Sequence, residues 1–87
     1  MNVITAAARA LAIKERALPP GHPDIAMTLN NLAVLAKAEG RFDEAATCYR
    51  RALDIFERTL GPAHPNTIAC RENYERLEKE RIASHTS

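Results

Sequence analysis

Tryptophan is absent from this sequence, and other rings are scarce: two Tyr and two Phe in 87 residues. So few aromatic faces leave little on which the bases of a single-stranded nucleic acid could stack. Charge of one sign is missing too. Twelve Lys and Arg stand against eleven Asp and Glu, for a net charge of +1, so no electrostatic footprint for nucleic acid or an anionic membrane is present. Two cysteines, Cys48 and Cys70, are too few for the disulfide framework of a small secreted domain, and they form no CxxC pair. They read as reduced packing residues in a reducing compartment. No stretch approaches the roughly 20 apolar residues of a membrane span. The opening "MNVITAAARALAIKER" lacks the basic start of a signal peptide, and Arg9 interrupts its apolar run. With three glycines there is no Gly-rich phosphate loop, and no nucleophile has a base at a telling distance. These gaps predict a cytoplasmic protein that is not an enzyme and carries neither cofactor nor metal.

What the sequence does contain is a repeat. His22-Pro23 and His64-Pro65 lie 42 residues apart, and sliding the chain against itself by that distance aligns Arg9–Pro23 with Arg51–Pro65 at ten of fifteen positions. Chance would give about one or two with ordinary residue usage. Asn31 and Asn73, outside that block, are separated by the same 42 residues. Repetition at this period marks a supersecondary unit stacked on its own copy.

Each unit reads as helix. Residues 2–18 are Ala-rich and free of Gly and Pro, and they stop at Pro19-Pro20-Gly21. Pro23 suits the first turn of a second helix, where its missing N–H is not needed, and Asp24 complements the positive end of the helix dipole. Gly40 ends that helix through its tolerance of positive φ. Asp43 and Glu44 open a third helix that stops at Gly61-Pro62, and a fourth begins at Pro65 and frays after Ile82, leaving 83–87 as a tail. In the second helix Ile25, Leu29, Leu32, Ala33 and Ala36 share one face, with Met27, Val34 and Ala38 opposite, which implies more than one neighbour. The third carries a broad apolar stripe from Phe42 to Leu60. Ala33, Ala45 and Ala52 allow close approach of the two backbones, with Tyr49 filling the space beside them. The fold class is therefore all-α, an antiparallel helix-turn-helix array of four helices.

The segment "LNNLAVLAKAEGRFDEAATCYRRALDIFERTLGPAHP", Leu29 to Pro65, resembles the tetratricopeptide repeat (TPR), in the longer version found in kinesin light chains and bacterial scaffold proteins. Matching positions include Leu32, Ala33, Gly40, Ala45, Tyr49, Ala52, Leu53 and the closing "LG..HP"; Ala36 departs from the pattern by standing where an aromatic ring is usual. On this resemblance 24–60 is a complete repeat, 2–18 the second helix of the repeat before it, and 65–82 a C-terminal capping helix. The capping reading rests on Arg71, Tyr74, Glu75 and Glu78, which replace Leu29, Leu32, Ala33 and Ala36 of the second helix.

The resemblance implies protein–protein interaction, with the first helices of successive repeats lining a concave groove that takes a short peptide segment of a partner. Carried over position by position, the groove comprises Met27, Asn30, Asn31, Val34 and Lys37, then Asn73, Arg76 and Lys79, the cations favouring an acidic segment. An asparagine amide suits such a place because it donates and accepts at once. Two other readings stay open. Val3, Ile4, Ala7, Ala10 and Leu11 of the first helix would lie bare without a preceding helix, so the chain is either a fragment of a longer repeat array, for instance a regulatory part of a larger signalling protein, or a homo-oligomer that covers this face by self-association. His22 and His64 occupy the same corner of successive units, too far apart to share one ion, and read as structural.

Overall fold

A computed structural model describes residues 3–86, with side chains described for 4–83. Four helices make up the described chain: α1 (Val3–Ala17), α2 (Pro23–Ala38), α3 (Phe42–Thr59) and α4 (Pro65–Thr86). Each packs on the next in order, α1 on α2, α2 on α3, α3 on α4. The result is a slab 43 × 36 × 15 Å, two helix layers thick, with α1 and α3 in one layer and α2 and α4 in the other.

The boundaries follow from local chemistry. Pro23 occupies the first turn of α2 and His22 caps it, its ring Nδ1 accepting from the Asp24 N–H at 3.0 Å. His64 repeats the arrangement at α4, accepting from the Asn66 N–H at 3.0 Å. The two His-Pro corners are thus the same device used twice: each ring satisfies one of the N–H groups that a helix start leaves without a partner. At the other end of α2, Gly40 sits at φ +80°, the Arg41 N–H donates to the Ala36 carbonyl and the Gly40 N–H to the Lys37 carbonyl, both at 2.9 Å. This pair of bonds closes the helix and needs the left-handed residue that Gly40 supplies.

The core lies between α2 and α3. Ala33, Ala45 and Ala52 are fully buried, and Tyr49, Phe56 and Leu29 fill the space those small residues leave. Truncating a buried ring such as Phe56 to Ala removes about 3–5 kcal/mol.

Two expectations change. The helix α4 runs through Thr86, past Ile82, so residues 83–86 are helix and no tail; Ser87, and the side chain of His85, lie outside the described residues. The segment contains no Gly or Pro, and Arg81 ties it to α3 through Asp43 at 3.1 Å. Second, Ile4 is buried and Ala7 and Leu11 are half-buried against the core, so these three residues of α1 are spent on α2 and do not form its bare face. Ala10 is exposed as expected, together with Ala6, Ile13 and Ala17; the side chain of Val3 and the whole of Asn2 lie outside the described residues. The reading of α2 stands: it has more than one neighbour, α1 and α3, and Met27 and Val34 on its other side stay open, at 40% and 46% exposure.

Candidate functional site

The helices α2 and α4 belong to one layer, and Lys37 of α2 reaches Glu80 of α4 at 3.0 Å, which joins them across α3. On the open side of α2, Met27, Asn31 and Val34 follow one another at helical spacing and are all exposed. The register places Ala69, Asn73 and Arg76 at the same positions of α4. Asn73 is half-buried and its Oδ1 accepts from Arg76 Nη1 at 3.4 Å, while Arg76 itself is exposed. The result is an apolar and amide-bearing strip on α2 beside an amide-and-guanidinium strip on α4.

The remaining three of the expected residues are placed differently. Asn30 is half-buried, and its Oδ1 is buried without a hydrogen-bond partner. Lys37 is half-buried and spends its charge on Glu80. Lys79 lies with Glu72, Glu75 and Arg76 around a shallow depression on α4. The expected bias toward an acidic segment therefore weakens: Glu72, Glu75 and Glu80 stand among the three cations, and an exposed charge so balanced attracts little.

Beneath this strip lies Tyr49 of α3, 2% exposed, its ring tilted against that of Tyr74 with centroids 6.5 Å apart. Burial pushes the Tyr49 hydroxyl above its ordinary range, the neighbouring Cys70 adds to this, the Arg76 guanidinium opposes it, and Glu80 reinforces it. Arg76 and Glu80 thus lie within electrostatic reach of Tyr49. Glu80 was not singled out from the sequence, and Tyr74 only as a capping residue. Tyr74 was legible as a ring standing where α2 has Leu32; the Lys37–Glu80 pair joins two helices that are not consecutive, and no spacing rule announces it.

Neither cysteine is poised for chemistry. Burial raises the Cys48 thiol above its usual range, with Glu44 adding and Arg51 opposing. Cys70 is pushed up to about 11, chiefly by burial, with Arg71 opposing and Glu57 adding, and its Sγ–H points at the Tyr49 carbonyl at 3.8 Å. A thiol held protonated in an apolar setting is a packing group. Among the described residues no three His, Cys, Asp or Glu side chains gather as a metal site. No helix among them is long and apolar enough to cross a membrane.

Alternating helices that bury one side and leave an open face on the other define a helical-repeat protein. The family comparison gives the same answer. The tetratricopeptide repeat model matches twice in overlapping registers, over residues 4–57 and 24–81, and the chain belongs to that family. The overlap reflects the helix order: the first match begins in α1 and the second in α2. Tetratricopeptide repeats serve protein–protein interaction. No curated protein matches the chain.

Proposed function

We propose that the open face of α2 and α4 binds a short extended segment of another protein, and that the chain acts as a docking module without catalysis, in the cytoplasm. The observation that carries this reading is the recurrence of an asparagine at one register position on both first helices, Asn31 exposed and Asn73 half-buried, flanked by the exposed Met27 and Val34. An amide in each strip can meet the backbone of an extended chain, and Met27 adapts to an apolar side chain, being flexible and polarizable. The balanced charge beside them favours a segment read by its backbone and one apolar anchor over one read by net charge. The 42-residue period and the "LG..HP" corner align the repeat with the variant typified by kinesin light chains.

Two first helices make a short groove, so a single copy binds weakly. Selection of binders from a random peptide library, followed by titration of the wild type and of N31A/N73A, tests the reading. Selected peptides should lose about fivefold or more in affinity with the double variant, two amide contacts being worth roughly 0.5–1.5 kcal/mol each. Its helical content should be unchanged. Equal affinity for both proteins would place the binding elsewhere.

A further inference from the structure

The helices α1 and α4 form the two edges of the slab. In the 42-residue register α1 is equivalent to α3, a second helix, and its exposed residues Ala6, Ala10 and Ile13 correspond to Cys48, Ala52 and Ile55, of which the first two are buried and the third half-buried. The helix α4 is equivalent to α2, a first helix, and its Ile68 stands 40% exposed where Ala26 of α2 is fully buried. Each edge therefore leaves open apolar groups at positions that an inner helix buries. We propose that α4 of one copy takes α1 of a second copy, so that the chain stacks head to tail.

Three features of the chain support a second copy as the occupant. The first is an ion pair that the register continues. Arg51 Nη2 of α3 meets Glu15 Oε2 of α1 at 3.1 Å, tying one second helix to the next. Advancing that pair by one repeat sets the second copy's Arg9 beside Glu57 of the first. Glu57 is exposed and already accepts from a guanidinium, that of Arg71, at 3.1 Å. The second feature is charge. The helix α1 carries Arg9, Lys14 and Arg16 against Glu15, whereas α4 is balanced, with Glu72, Glu75, Glu78 and Glu80 against Arg71, Arg76, Lys79 and Arg81. Two copies of α1 laid on each other would instead set cations against cations, which disfavours the two-fold alternative. The third is the corner. Ile55 lies with Pro20, Gly21 and Ile25 around one depression. Its equivalent Ile13, 60% exposed, would meet Pro62 and Ala63, both exposed, at the matching corner of the first copy.

Three residues oppose the contact: Arg71 and Glu78 stand, half-buried, where Leu29 and Ala36 are fully buried, and Glu75 is the third. Glu75 stands where Ala33 is fully buried, so its carboxylate must bend toward solvent past the small Ala6 and Ala10, and the association stays weak. Head-to-tail contact of this kind is heterologous, so it propagates or closes into a ring. It also places α2 of the second copy next in line after α4. If the open face binds peptide as proposed above, a pair of copies then offers four first helices in place of two.

Sedimentation or light scattering of the chain over a range of concentrations reads the association, with peptide binding playing no part. The wild type should show a mass that rises with concentration. R9E should weaken the association about fivefold, the upper end for an exposed ion pair, and E75A should tighten it. I13E and I68E, both changed at exposed positions, should each be monomeric alone. Mixed, they should form a one-to-one pair, because I13E keeps a working α4 and I68E a working α1. A wild type that stays monomeric at millimolar concentration would overturn the proposal. So would an I68E protein that associates like the wild type, which is the mark of α1 pairing with α1, or a mixture that fails to pair. Should either isoleucine variant lose its helical circular dichroism, the surface variants R9E and E75A decide: no change in association with either would overturn it.

Discussion

The two first helices, α2 and α4, occupy the same register of successive repeats yet are built differently. Packed between α1 and α3, α2 buries Ile25, Leu29, Leu32, Ala33 and Ala36. With α3 as its one closely packed neighbour, α4 keeps Thr67, Cys70 and Leu77 buried and turns polar elsewhere. At the equivalent of Leu29 stands Arg71, half-buried and paired with Glu57; at that of Ala33 stands Glu75, exposed. The change from α2 to α4 is therefore graded. Residues facing the one remaining neighbour stay apolar or partly so, as with Tyr74, and only the outward side carries free charge. The number of neighbours decides how much of one pattern a helix must keep.

Exchanging residues between the two helices breaks the comparison most severely at its centre. A33E buries a charge with no partner where the backbones of α2 and α3 approach closely, and should cost roughly 3–5 kcal/mol, a large part of the stability expected for a domain this size. Urea denaturation would register this as a collapse of the transition midpoint, while E75A, the reverse exchange, should leave the midpoint within about 0.5 kcal/mol of wild type.

A smaller effect of the same kind is expected at the flank. L29A should cost about 2–5 kcal/mol as a large-to-small change in the core. R71A, which loses an exposed ion pair, should cost at most about 1 kcal/mol. Equal losses by thermal melting would mean that α4 is held as tightly as α2.

The helix caps sharpen the comparison from the other direction, because there the two helices agree. H22A and H64A each remove one ring acceptor from an equivalent N–H, and each should cost about 0.5–2 kcal/mol, with H22D and H64D recovering most of it. A marked inequality would show that one corner carries a further load.

The least severe test is chemical. The Cys70 thiol, pushed up to about 11 in the folded chain, stays protonated when an exposed thiol would already have ionised. The unfolded chain then binds fewer protons than the folded one, so stability falls as pH rises from about 9 to about 11. That slope should shrink in C70A, read as the change in melting temperature across the interval.

Much of this was legible in the chain. The 42-residue register, the breakers at Gly21, Gly40 and Gly61, and the small residues Ala33, Ala45 and Ala52 were enough to define the helices and the core between α2 and α3. Which side of α1 stays bare was not legible. A helix with Ala at positions 6, 7, 8, 10, 12 and 17 is apolar almost all round, and periodicity alone does not choose between Ala7 with Leu11 and Ala6 with Ile13. Only the contact with α2 settles it. The end of α4 escaped for a related reason, since Arg81 extends the helix through a bond to Asp43, far away in sequence. In the candidate site, the asparagine pair and the exposed Met27 and Val34 were found from the register. The pairing of Lys37 with Glu80, which removes one of the expected cations, depends on how far apart two non-adjacent helices sit.

The most direct test of the central claim, that the open face of α2 and α4 is the working surface, is a nuclear magnetic resonance titration of the chain with a peptide selected against it. Shifts concentrated at Met27, Asn31, Val34, Asn73 and Arg76, with α1 and α3 quiet on their outer sides, are the predicted result. Shifts centred on Arg51, Asp54 and Arg58 of the opposite layer would contradict it.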